Sequence, residues 1–148
     1  VSFGQGEVLV SPLEMALVAA GIANGGTIME PFIVSEVRDY RQTLLQRTQP
    51  QVWKRPITAA TAQTVSELMV RAVEEGTGTN AAIEGVKVAG KTGTAEVDEG
   101  ESHAWFIAFA PADDPQVAVA VIVEHGGTGG TAAAPIARSV IQAALAQE

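Results

Sequence analysis

Apolar positions change period several times along the chain, and each change marks an element. The opening, Val1 to Val10 (VSFGQGEVLV), is broken by glycines and leads into a helix start at Ser11-Pro12-Leu13-Glu14. There Ser11 caps, Glu14 reaches back to it, Pro12 suits the first helical position, and Val10 staples against Met15. Leu13, Ala16, Leu17 and Ala20 recur at helical spacing as far as Asn24-Gly25-Gly26, which predicts a helix from Pro12 to Ala23. Thr27 to Thr58 follows neither period cleanly. Phe32-Ile33-Val34, Val37, Leu44-Leu45 and Val52-Trp53 are interspersed with charges, which predicts a small hairpin or a pair of irregular strands. Thr58 caps a second helix whose stripe is Val65, Leu68, Met69, Ala72 and Val73, ending at Gly76.

The remainder reads as strands. After a polar glycine loop, Gly76 to Asn80, the run Val86 to Val97 (VKVAGKTGTAEV) alternates and breaks at Gly90 into Lys91-Thr92-Gly93-Thr94. A strand edge with glycine at position 93 lets a ligand approach the backbone. An acidic loop, Asp98 to Ser102, precedes a buried strand, His103 to Ala110, holding three of the seven aromatic residues. Pro111 to Pro115 makes a tight turn, and Gln116 to Glu124 is a strand apolar on both faces. Beyond the glycines at 126 to 130, Thr131 caps a terminal helix with Ile136, Val140, Ala144 and Leu145 as its buried line. Three strands joined by short connections predict an antiparallel meander, and with the helices an α+β fold.

Composition narrows the function. A chain of 148 residues is one domain or part of a larger one. Its net charge of −8 argues against nucleic acid, whose phosphates call for clustered Lys and Arg. Five of the nine basic residues, Arg38, Arg41, Arg47, Lys54 and Arg55, fall in the irregular segment as a solvated face. No apolar run approaches the ~20 residues of a membrane span, and no leader opens the chain. Without cysteine there is no disulfide framework, and His103 and His125 lack metal-ligand spacing, so neither metal nor cofactor is expected. They read as surface residues near strand ends.

Two motifs compete for Lys91. Gly85 to Thr92 spells GxxxxGK[ST], the phosphate-cradling loop, but that loop needs a strand before its first glycine and a helix directly after its last residue. Here the intervening residues alternate like strand. The other motif is Lys91-Thr92-Gly93, which in serine acyl-transfer enzymes accompanies a Ser-x-x-Lys nucleophile and a Ser-x-Asn element.

Four blocks in order extend the second match: GQGEVLVSPLEMALVAAGIANGG, EGTGTNAAIEGVKVAGKTGTAE, HAWFIAFAPADDPQVAVAVIVEHGG and GGTAAAPIARSVI. Together they resemble the C-terminal half of the transpeptidase domain of class B penicillin-binding proteins of an actinobacterial type. The resemblance runs nearly end to end and is weakest from Asp39 to Thr58. It implies a partial penicillin-binding transpeptidase, or serine β-lactamase-like, fold, with the PLEMA helix and AWFIAFAP strand nearer the transpeptidases. It also implies acyl transfer that cross-links peptidoglycan stem peptides and is blocked by β-lactams. In that family the lysine matching Lys91 assists proton transfer beside the nucleophile. The hydroxyls matching Thr92 and Thr94 engage the substrate carboxylate across Gly93, and the backbone N–H matching Thr94 is an oxyanion donor.

One departure governs activity. No serine is followed three places later by lysine, and no Ser-x-Asn occurs, so residues 1–148 are expected to be the C-terminal portion of such a domain and to be inactive alone. The chain is then a truncated piece of an enzyme or a non-catalytic scaffold relative, with nucleotide binding as the remote alternative. The resemblance places the parent protein at the extracytoplasmic face of the membrane, with any anchor upstream. Family strands supplied from upstream would cover Gln116 to Glu124; without them that edge is expected to self-associate.

Overall fold

The structure, a computed structural model, describes residues 8–146; of the opening read from Val1 to Val10, the part through Glu7, with both its glycines, lies outside the described residues. Helix α1 (Pro12–Ala23) begins as its sequence requires. Ser11 Oγ accepts from the Glu14 N–H at 3.3 Å, while Glu14 accepts from the Ser11 N–H at 2.7 Å. The helix stops at Asn24, whose N–H donates to the Ala20 carbonyl, and Gly25 and Gly26 turn the chain at positive φ. Its tightest contacts come from Ala19 and Gly21 and not from Leu13, which is exposed. Gly21 abuts Ile28, so a side chain there would collide with it.

The irregular segment is a nested ribbon. Strands β1 (Ile28–Met29) and β4 (Val52–Lys54) pair antiparallel, and β2 (Glu36–Arg38) and β3 (Leu44–Arg47) pair beyond them. Each pair carries a register irregularity, which matches the broken alternation of its sequence. Glu36 bridges Arg38 and Arg47, so the solvated basic face is partly neutralised across the strands. Helix α2 (Ala59–Glu74) starts at Thr58, whose side chain accepts from the Thr61 N–H at 3.1 Å.

The main sheet has the order β5-β6-β7, built from β5 (Ala89–Ala95), β6 (His103–Ala110) and β7 (Val117–Val123), all antiparallel. Period-two alternation divides β6 between two cores. Ala104, Phe106, Ala108 and Ala110 face the terminal helix α3 (Ala134–Leu145), whereas Ile107 and Phe109 face α1 and α2 through Ile22 and Met69. Phe106 is fully buried, and truncating it to alanine is expected to cost about 3–5 kcal/mol. The strand expected over Val86 to Val97 is shorter: Val86 makes an isolated bridge to Ile83, and the ladder begins at Ala89.

Two expectations about the last helix are corrected. Thr131 is not its cap. A wide π-type turn, Gly129–Ala133, precedes α3, and the Thr131 hydroxyl lies 2.8 Å from that of Thr128, the residue that leads into that turn. The wide turn resets the rotational phase at which α3 enters the sheet. The buried line is therefore Ala134, Ala137 and Ile141, with Leu145 partly covered, while Ile136 and Val140 are 46% and 45% exposed.

Candidate active-site strand

Strand β5 pairs with β6 along one side, from Ala89↔Phe109 to Ala95↔His103, and forms the end of the sheet on the other. Side chains alternate from it. Lys91 is exposed, Thr92 and Gly93 are half-buried, and Thr94 is exposed. The Lys91 ammonium donates to the carbonyl of Thr92 at 2.7 Å, and Lys91 joins none of the three ion pairs seen among the described residues. In an antiparallel ladder the N–H and C=O of one residue share a side, and the sides alternate. A Thr92 carbonyl turned to the Lys91 amine therefore gives the Thr92 and Thr94 backbones one parity, opposite to that of Gly93.

Glycine at 93 has a structural reason beyond ligand access, and so does the glycine at 129 that packs on its backbone. A Cβ there would sit 3.0 Å from Trp105 Cβ on one face. On the other, Gly129 of the wide turn stacks against the Gly93 and Trp105 backbones so closely that a Cβ on Gly129 would overlap the Trp105 carbonyl oxygen. Gly90 is as constrained: a Cβ would lie 2.5 Å from Phe106 Cζ and 3.1 Å from Val73 Cγ2. The glycines of this strand thus let a helix, a turn and a ring approach a single backbone.

A shallow cavity of about 250 Å³ runs along the strand. Lys91 to Ala95, Trp105 and Ile107 line it together with Val8, Val10 and Met15 from around the start of α1. Larger clefts of about 740 and 660 Å³ lie beside α2 near Lys87 and beneath Phe32, and neither brings Lys91, Thr92 or Thr94 to its lining. The smaller cavity gathers every residue singled out from the sequence: Lys91, Thr92, Gly93 and Thr94.

Several contacts at this strand were not legible in the sequence. The Thr92 hydroxyl lies 2.8 Å from that of Thr77, in the loop after α2, and Asn80 Nδ2 donates to the Gly130 carbonyl at 2.8 Å. The sequence marked both segments as glycine loops, and nothing in either points to the other across 15 or 50 residues. At the far end, the His125 N–H donates to His103 Nδ1 at 3.0 Å, and His125 Nδ1 lies 3.1 Å from the Glu101 carbonyl. This tie closes the acidic loop against the end of β7. Among the described residues no group of three or more His, Asp or Glu could hold a metal ion.

The phosphate-loop reading fails on this geometry. Lys91 and Thr92 lie inside a strand that continues to Ala95, so no helix N-terminus follows them to receive a phosphate. Comparison with known proteins agrees. Residues 1–142 match the family described as "Penicillin binding protein transpeptidase domain". Peptidoglycan D,D-transpeptidase PbpA of Mycolicibacterium smegmatis is 47% identical over 97% of this chain, which covers 31% of that protein. Stage V sporulation protein D of Bacillus subtilis is 39% identical over 97% of the chain and 24% of its own length. Among solved structures, penicillin-binding protein A of M. tuberculosis, as a ceftriaxone acyl-enzyme complex, superposes with a TM-score of 0.92 at 44% identity. That match covers 97% of this chain and 34% of the other. The chain thus spans about a quarter to a third of the length of these relatives. On the family match, these identities and the shared fold, the chain belongs to the penicillin-binding protein transpeptidase family.

Proposed function

We propose that this chain is the C-terminal part of a peptidoglycan D,D-transpeptidase and supplies one wall of its active site. The observation that carries the reading is Lys91-Thr92-Gly93-Thr94 on the end strand β5, alongside an apolar cavity lined also from around the start of α1. An ammonium and two hydroxyls on an accessible strand suit a carboxylate-bearing peptide or a β-lactam, because each can donate to an acceptor-only anion. In this reading Thr92 and Thr94 hold the terminal carboxylate of the stem peptide. The Thr94 backbone N–H donates to the oxyanion that forms when a serine Oγ attacks the scissile carbonyl. Lys91 stabilises the charge that develops as the serine proton departs. The serine comes from the upstream part of the protein, since no Ser-x-x-Lys occurs in these 148 residues.

The same reading puts the parent protein at the extracytoplasmic face of the membrane, where peptidoglycan is built. No helix among the described residues is long and apolar enough to cross a membrane. It also gives the isolated chain a self-association surface. Strand β7 ends the sheet opposite β5, and its residues are half-buried throughout, so its open edge suits a further strand.

The test is penicillin labelling. The isolated chain should remain unlabelled by a fluorescent penicillin, and joining it to the upstream segment of its own gene should restore covalent labelling that prior β-lactam blocks. A folded, complete protein that stays unlabelled would overturn the enzymatic reading in favour of a non-catalytic scaffold.

A further inference from the structure

Thr77 lies outside the motif, yet it is the residue that touches the motif's first hydroxyl. Its Oγ1 is 2.8 Å from Thr92 Oγ1. The loop that carries it is held on both sides. A Cβ on Gly76 would lie 2.9 Å from Ala72, and one on Gly78 would lie 3.1 Å from the Ala72 carbonyl and 3.2 Å from Phe106. The Gly78 N–H also donates to the Ala72 carbonyl at 2.8 Å. On the far side Gly130 packs on the Thr77 carbonyl, its Cβ position 3.6 Å from Thr92 Cγ2, and Asn80 binds the Gly130 carbonyl. Thr77 is thus a fixed point, anchored to α2 and to the wide turn before α3.

A threonine hydroxyl has one proton and two lone pairs, and only one proton can lie between two oxygens. With either hydroxyl as donor the geometry is satisfied, so the bond by itself has no direction. A carboxylate removes that freedom, because it accepts only. If Thr92 donates to the carboxylate, Thr77 must donate to Thr92.

We propose that Thr77 is a positioning residue that donates its hydroxyl proton to Thr92 Oγ1 and thereby aims the Thr92 proton at the carboxylate of the bound peptide or β-lactam. This rests on the proposed function, specifically on Thr92 as a carboxylate ligand. Two hydroxyls in series polarise each other, so the pair binds an anion better than one free rotor does. A neutral ligand gains nothing from the arrangement.

The experiment uses the complete protein, with its upstream segment, and the second-order rate of acylation by benzylpenicillin and by its methyl ester, which lacks the anion. Thr77→Val, which keeps the shape and removes the hydroxyl, should lower the benzylpenicillin rate about tenfold and leave the ester rate unchanged. Thr77→Ser should restore the benzylpenicillin rate to within about threefold of that of the unsubstituted enzyme. Three results overturn the proposal: a Thr77→Val enzyme as fast as the parent, an equal fall for both ligands accompanied by a lower Tm, or no rescue by serine. Thr92→Val separates the underlying reading. If it spares the benzylpenicillin rate, Thr92 is not a carboxylate ligand and both statements fall. If it lowers that rate while Thr77→Val does not, only the role of Thr77 fails.

Discussion

Lys91 is exposed, and its amine reaches the carbonyl of its own neighbour, so removing it takes little from the folded chain. In the complete protein Lys91→Ala should slow acylation by benzylpenicillin roughly 10²–10⁴-fold, the range of general acid–base assistance, with Tm held within about 1 °C. Stopped-flow acylation and calorimetry on one preparation would separate the two effects. Gly90→Ala should do the reverse. The added methyl would lie 2.5 Å from Phe106 Cζ in a fully buried environment, and overpacking of that kind costs about 1–3 kcal/mol. A denaturant midpoint at the wild-type value would contradict the packing described for β5. The two residues are adjacent in sequence and opposite in consequence. The sequence shows the chemistry of Lys91, because an ammonium between glycine and threonine is visible in the letters. It does not show why position 90 must be glycine, because Phe106 and Val73 reach it only after folding.

Among the elements, α1 was the most legible, since its start signal is local and reciprocal. Ser11 and Glu14 lie within one turn, and their mutual hydrogen bonds need no tertiary partner. Those bonds, first from the Ser11 N–H and then from its hydroxyl, hold the Glu14 carboxyl below its usual range. A carboxyl depressed in the folded state adds stability above its unfolded pKa of about 4.3, and that stability is lost as pH falls through the lower folded value. Amide protection at the first turn of α1, taken relative to the intrinsic exchange rate at each pH, should therefore fall below pH of about 4, and Glu14→Gln should flatten that dependence. Lys87 behaves oppositely: the Asp113 carboxylate beside it, through a hydrogen bond at 2.8 Å, raises its pKa. Its contribution is complete below about pH 10.4 and disappears as pH rises through the raised value. Helix α3 was misread for the complementary reason. Its apolar residues cover more than one face, and the choice of Ala137 and Ile141 over Ile136 and Val140 was made by the wide turn that precedes it.

For the whole molecule, the open edge of β7 is the feature on which the proposed self-association rests. Its seven residues, VAVAVIV, are apolar on both faces, half-buried, and paired on one side only. The isolated chain should therefore associate with rising concentration, seen as a shift of sedimentation coefficient over the micromolar range. It should revert toward monomer when joined to its upstream segment. A monodisperse monomer with protected amides from Val117 to Val123 would contradict this. The exposed Ile136 and Val140 of α3 and Leu13 and Val18 of α1 are further apolar surface on the same short chain. A chain that spans a quarter to a third of its relatives' length is expected to leave such faces uncovered.

The sequence by itself determined the elements whose causes are short-ranged: the capped helices α1 and α2, the three strands, and the Lys91 to Thr94 motif at a strand edge. These follow from caps, periods and side-chain chemistry read within a few residues. Only the tertiary structure decided which surfaces those elements present. It set α3 by its π-type turn, pressed Gly129 onto Gly93, and brought Thr77 to Thr92 and Asn80 to Gly130. Contacts of that kind depend on how distant backbones approach one another, and glycine and threonine carry no mark of their eventual partner.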